Sequence, residues 1–155
     1  MLTLLDKLYY SVRRKEAIKA KNMLKKIKID TIYEILTKDC WKYGMQYDIL
    51  YKSVELMIIK LCGRREVVLI SFSKADIVHM KEFEQFIMKI NMYKGNKGIY
   101  ITTGIFEESI EKSYKQFDME LVDGFHFIKS QIGISSNAEE VFKYNKFKFY
   151  RYLPA

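Results

Sequence analysis

Proline is nearly missing from this chain: Pro154 is the only one in 155 residues. No proline-, glycine- or serine-rich stretch separates one part from another, and no internal repeat or low-complexity linker occurs. The length fits one domain with a single core. Cysteine is scarce as well. Cys40 and Cys62 stand alone with no paired spacing, which excludes a zinc site built on cysteines and suits a reducing, cytoplasmic setting. Histidine is limited to His79 and His126. They show no acid/base pair and no metal-ligand spacing, so both read as structural. No apolar run approaches the ~18–20 residues needed to span a bilayer. The opening Met1-Leu2-Thr3-Leu4-Leu5 is interrupted by Asp6 and Lys7. No h-region or cleavage site follows, so neither a signal peptide nor a membrane partner is expected.

What is abundant is lysine, isoleucine and tyrosine. Hydrophobic residues make up 49% and charged residues 30%, the balance of a globular rather than a disordered chain. The formal charge of +8 invites a nucleic-acid reading, and its distribution qualifies that. Residues 1–28 hold nine Lys/Arg against Asp6 and Glu16, giving +7. Residues 141–155 hold Lys143, Lys146, Lys148 and Arg151 with no acid, giving +4. The middle, 29–140, holds fourteen bases and seventeen acids, giving −3. A phosphate-binding surface must therefore come from the termini.

Periodicity places the elements. Residues 2–27 read as helix, broken near Arg13-Arg14. Leu4, Leu5, Leu8 and Val12 form one apolar stripe, and Ala17, Ala20, Leu24 and Ile27 another. Asp30 or Thr31 is expected to cap a helix over 31–43 that ends at Gly44, with Cys40 in its buried face. Residues 47–50, 53–61 and 66–73 are β-rich, the last two joined by Cys62-Gly63-Arg64-Arg65, a hairpin signal. Val67-Val68-Leu69-Ile70 is apolar on both faces, so that strand is expected to be central. A helix over 79–92, a strand at 99–102, a helix near 106–117, a strand at 119–122 and a helical turn at 125–131 complete the order. An antiparallel hairpin feeding βαβ crossovers makes a mixed-sheet α/β fold with helices on the sheet faces.

The phrase Lys97-Gly98-Ile99-Tyr100-Ile101-Thr102-Thr103-Gly104-Ile105-Phe106, followed by Leu121-Val122-Asp123-Gly124, resembles the C-terminal half of the Mrr-type restriction endonuclease domain. The resemblance extends by element order over about 29–132. It implies a restriction-endonuclease-like three-layer sandwich with a mixed β-sheet, and a Mg²⁺-dependent cut of the DNA backbone. It leaves 1–28 as a basic helical extension and 133–155 as a basic/aromatic C-terminal tail. In such a site two acidic or amide oxygens hold the cation, and a lysine supports the attacking water. Carried over residue by residue, Glu34 matches the helix acid, Glu55 the metal aspartate, Ser71 the Gln/Glu, Ser73 the lysine and Lys74 a further base. Shifting by one residue makes Lys74 the catalytic lysine but puts Phe72 at a ligand position. Neither register supplies both a ligand pair and a lysine, so the expected site is degenerate, holds no metal, and gives no confident catalytic residue. Thr102, Thr103 and Gly104 shape a strand-to-helix turn, and Asp123-Gly124 is a turn signal.

The basic ends then carry the expected function. Arg13, Arg14, Lys15, Lys25 and Lys26, with Lys143, Lys146 and Lys148, are the candidate DNA contacts. In the tail, Lys146 and Lys148 alternate with Phe147 and Phe149. This suits an edge strand with aromatics inward and lysines guarding the edge, exposed aromatics stacking on bases, or a homodimer or protein interface through that strand. Three functions remain open on the sequence: a non-cleaving DNA-binding nuclease fold, an active metal-dependent endonuclease of divergent site, and a protein-interaction module of inhibitor, immunity or assembly type.

Overall fold

The computed structural model describes residues 2–154. In chain order the strands are β1 (Gln46–Lys52), β2 (Leu56–Cys62), β3 (Val67–Ser73), β4 (Ile77–Val78), β5 (Lys97–Thr102), β6 (Ile105–Phe106) and β7 (Met119–Val122). Five form one mixed sheet in the order β1-β2-β3-β5-β7. The hairpin pairs Leu56 with Ser73 through Cys62 with Val67, and its turn closes with Gly63 N–H donating to Glu66 O at 2.9 Å. β3 is central and buried along nearly its whole length. β5 and β7 join in parallel, which requires crossovers. α4 (Met80–Met92) supplies the first. α5 (Glu108–Ser113) and the 3₁₀ turn at Tyr114–Gln116 supply the second.

Helices cover both faces of the sheet. On one side Phe83 and Phe86 of α4 and Ile110 of α5 pack on Leu69, Tyr100 and Ile58. On the other, α3 (Ile29–Lys42) and α6 (Gly124–Ile132) set Leu36 and Phe127 against Ile59, Ile70 and Phe72. Alternation along each strand sends successive side chains to these two clusters. The chain ends complete the second cluster. α1 (Leu4–Val12) and α2 (Arg14–Lys25) break at Arg13, and α2 contributes Ala20 and Leu24. α7 (Ala138–Lys143) contributes Val141, and beyond it Phe147, Phe149 and Tyr152 are buried. No helix among the described residues is long and apolar enough to cross a membrane.

Three local expectations change. α3 begins at Ile29 after Lys28, with no side-chain cap, so Asp30 sits in the first turn instead of capping it. The C-terminal basic/aromatic strand does not form, and a subunit interface built on that strand has no strand to use. Residues 145–149 run without a sheet neighbour into a 3₁₀ turn at Tyr150–Tyr152. Side chains replace the missing ladder: Gln131 accepts from Lys148 N–H at 2.7 Å and donates to Lys148 O at 2.9 Å, while Asp39 accepts from Phe149 N–H at 2.8 Å. Backbone groups need partners, and any well-placed amide or carboxylate suffices. Third, α1 turns its leucine stripe outward: Leu4, Leu5, Leu8 and Val12 are all exposed.

Candidate functional site

The carboxyl ends of β3, β5 and β7 meet at a point where chain backbones almost touch. A Cβ on Gly104 would stand 2.1 Å from the Asp76 carbonyl oxygen and 2.2 Å from that of Ala75. One on Gly124 would stand 2.3 Å from the Thr103 carbonyl oxygen. Gly124 N–H donates to Gly104 O at 2.9 Å, Thr103 N–H to Ser73 O at 3.0 Å, and Thr102 Oγ1 to Ala75 O at 3.2 Å. The Thr-Thr-Gly and Asp-Gly phrases thus encode close packing of three strand ends. β6, which pairs with β4, sits where a helix was expected to begin.

Ser71 and Ser73 lie on the α4 side of β3 and are buried. Ser71 pairs across the parallel ladder with Tyr100. A recess of about 470 Å³ opens there, walled by Leu56, Ile58, Phe86 and Tyr100 with Ser71 among its lining. The Ser71 hydroxyl makes no hydrogen bond of normal geometry among the described residues. Burial raises the Tyr100 phenol above its usual value, and the neighbouring Ser71 and Ser73 hydroxyls partly oppose the shift.

Glu55 and Lys74 are joined through backbone, Lys74 N–H donating to Glu55 O at 2.8 Å. Glu55 is exposed in the turn before β2, and Glu34 is exposed on α3. Lys74 lines a different recess from Ser71, one of about 410 Å³ shared with Lys28, Lys52, Ser53 and Val54. Asp30 pairs with Lys52 there.

A magnesium ion takes oxygen ligands dominated by carboxylates. Here the positions matching the ligand and the lysine are two neutral, buried hydroxyls beside a phenol, and the matching carboxylates are exposed elsewhere. Among the described residues no group of three His, Cys, Asp or Glu side chains is placed to hold a metal. The donor set does not fit the ion.

One polar cluster was not foreseen. The His126 imidazole lies between two carboxylates, its Nδ1 2.7 Å from Asp123 Oδ1 and its Nε2 3.0 Å from Asp6 Oδ2. Lys129 Nζ donates to Asp6 Oδ1 at 2.8 Å. Asp123 also caps α6, accepting His126 N–H at 2.8 Å. The Asp123 contact raises the His126 pKa above its ordinary value; burial opposes this and Asp6 adds to it. Burial would raise the Asp6 carboxyl, but Lys129, the Thr3 N–H and His126 outweigh it and hold the group far below the usual carboxylate range. Asp123 is likewise lowered, its burial overcome by His126. Asp is among the residue types favoured at helix N-caps, but Asp123-Gly124 reads in sequence as a turn signal. The partner at Asp6 carries no local signal. His79 lies 3.9 Å from Glu107 Oε2 on the surface.

The two basic ends are packed together. α2 lies on α6 and α7, with Glu16 accepting from Ala138 N–H at 2.8 Å and Lys19 pairing with Glu139 at 2.7 Å. The Arg13 guanidinium is half-buried and donates to the Ser136 carbonyl. Lys146 pairs with Glu140, and Arg151 with Glu120. Arg14, Lys15, Lys25, Lys26, Lys143 and Lys148 are exposed; Lys143 lies near enough to Glu139 to help lower its carboxyl.

No family model matches the sequence, and no curated protein matches it. The solved structures to which the chain is similar include two restriction endonucleases. The DNA modification-dependent restriction endonuclease AspBHI shares 10% identity over 74% of this chain and 34% of its own, with a TM-score of 0.40. The MspJI restriction endonuclease, in complex with a 27-mer oligonucleotide, shares 15% identity over 92% of this chain and 33% of its own, with a TM-score of 0.31. The chain spans about one third of the length of each.

Proposed function

We propose that this chain is a Mrr-like, restriction-endonuclease-like three-layer sandwich that binds the DNA backbone and does not cut it. The observation that carries the reading is the packing of α2 against α6 and α7. It brings α2, which lies in the +7 segment 1–28, against α7, which runs into the +4 segment 141–155, whereas residues 29–140 sum to −3. Cations gathered on one face neutralise phosphates and release counterions, which is the sequence-independent part of DNA affinity. Lys28 follows Lys25 and Lys26 in the chain and extends the basic surface into the recess with Lys52 and Lys74. The buried Ser71 and Ser73 hydroxyls support loss of the cation and therefore of cleavage.

The test is a binding titration of fluorescent duplex DNA at low salt, with a parallel cleavage assay in Mg²⁺ and Mn²⁺ on plain and methylated duplex. Binding without cleavage is expected. Absence of binding at low salt would overturn the DNA reading. Cleavage lost in Glu55→Ala would overturn the non-catalytic one.

A further inference from the structure

Helix α1 is built inside out. Its outward side carries Leu4, Leu5, Leu8 and Val12, 75%, 71%, 54% and 77% exposed. Its inward side carries Asp6, which is 4% exposed, with Tyr9 and Arg13. The inward side is fixed by directional contacts. Thr3 and Asp6 form a reciprocal capping box. Asp6 reaches His126 and Lys129, and the Tyr9 hydroxyl donates to Gly133 O at 2.8 Å. The Arg13 guanidinium donates to the Ser136 carbonyl, and the Tyr9 and Tyr10 rings meet Phe125. Rolling the helix to bury its leucines would keep the capping box, which turns with the helix, but would break every contact of Asp6, Tyr9, Tyr10 and Arg13 with the rest of the fold. The outward stripe is therefore a specified feature of the fold.

The stripe's shape and rim indicate what covers it. At 3.6 residues per turn the four side chains span an arc of about 100°, the width of a helix face that packs on other protein. The only acid in α1 is Asp6, turned inward and neutralised. Glu16, at the start of α2, is committed to the Ala138 N–H. Lys7, on α1, and Arg14 and Lys15, which follow Val12 in the chain at the start of α2, are exposed. A second copy of the chain on the ridge would set Lys7, Arg14 and Lys15 of one copy against those of the other, so like charge opposes self-pairing. The complementary surface is apolar at its centre and acidic at its edges.

We propose that α1 is a docking ridge for an amphipathic helix of a partner protein whose apolar stripe is flanked by Asp and Glu. Leu4, Leu5, Leu8 and Val12 form the buried seam, and Lys7, Arg14 and Lys15 the charged rim. The seam supplies affinity and the rim selects acidic partners. This inference does not rest on DNA binding.

The experiment uses the full chain and two fluorescent helical probe peptides of roughly 20 residues with one leucine seam, flanked by Glu in one and by Lys in the other. Anisotropy should show the Glu-flanked peptide binding at least about tenfold tighter. Leu5→Ser/Leu8→Ser should weaken it by a similar factor while circular dichroism and affinity for duplex DNA stay unchanged. Equal binding of both peptides, or no binding of the Glu-flanked one, would overturn the proposal. So would a concentration-dependent dimer in sedimentation that the double variant abolishes, which would place a second copy on the ridge. Binding to phosphatidylserine vesicles lost in the same variant, without peptide binding, would place lipid there instead.

Discussion

Asp6 joins α1 to residues 120 positions away, and its loss should be felt at both ends of the chain. Removing the carboxylate leaves Lys129 and His126 without a shared partner. Hydrogen bonds to charged groups are each worth about 1.5–3 kcal/mol. Because Lys129 and His126 are about one third exposed, solvent screens part of this, and Asp6→Ala should cost about 2–3 kcal/mol in urea unfolding. The cluster also sets a pH window. His126 has a raised pKa, so its contribution is complete below the ordinary value of 6.5 and is lost as pH climbs through the folded-state value. Asp6 and Asp123 are depressed, so theirs is present above the ordinary 3.8 and is lost only as pH falls through their folded-state values. The cluster is complete between those limits and loosens toward alkaline pH. The His126 ring resonance in NMR should titrate above 6.5, and Asp123→Asn should bring the midpoint down. Thermal stability should fall from pH 6.5 to 8 in the wild type, and less in His126→Gln. His126 was expected to have no acid/base pair, and its ring in fact meets two carboxylates; the nearer, Asp123, is only three residues away. Its second carboxylate was invisible because pairing over 120 residues leaves no periodic trace. Gly104 shows the reverse case. Its phrase was readable, and the backbone approach explains it: Gly104→Ala must displace two carbonyls, and a loss of more than about 3 kcal/mol is expected on chemical denaturation.

Elements were legible where burial and spacing agree. The strand expected at 119–122 lies at Met119–Val122. The doubly apolar Val67–Ile70 marks the central strand, and the break at Arg13 falls where the two stripes of the first 27 residues change phase. What failed was inference from pattern to neighbour. An apolar stripe tells that a helix has a face to cover. In α1 the polar contacts of Asp6 and Tyr9 decide which side turns inward. α7 was missed because six residues capped by Asn137 are too short for a helical period to stand out. The tail was misread in a related way. Alternation of Phe147, Lys148 and Phe149 predicts alternate burial in any extended backbone, and that burial occurs without a sheet. Phe149 is fully buried among Phe127 and Tyr152. Phe149→Ala should therefore cost about 3–5 kcal/mol, whereas Lys148→Ala, exposed and bonded only through its backbone, should stay within about 0.5 kcal/mol. Equal effects of the two in urea unfolding would show that the tail is not part of the core.

At the scale of the molecule, packing decides which charges remain available. Arg13 looked equivalent to Arg14 and Lys15 in the sequence, yet its guanidinium is committed to the Ser136 carbonyl. Lys146 and Arg151 have acidic partners, while Lys148 is exposed and Lys143 lies over the Tyr144 ring. DNA attraction should therefore divide along these lines. For duplex binding, log affinity falls linearly with log salt, and each phosphate contact contributes about one unit of slope. Arg14→Ala/Lys15→Ala and Lys25→Ala/Lys26→Ala should each weaken binding and flatten the slope by up to about two units. Arg13→Ala should lower the unfolding midpoint and leave the slope nearly unchanged. Lys97→Ala should change the slope least, because Lys97 faces Glu120 at 3.7 Å within residues 29–140, which sum to −3. Lys28→Ala/Lys74→Ala tests whether the recess beside β2 belongs to the same surface. If phosphates run from α2 into it, the double variant behaves like the Lys25/Lys26 pair. A slope unaffected by the α2 changes but flattened by Lys28→Ala/Lys74→Ala would move the DNA path off the joined termini and into the recess that Lys28, Lys52 and Lys74 line.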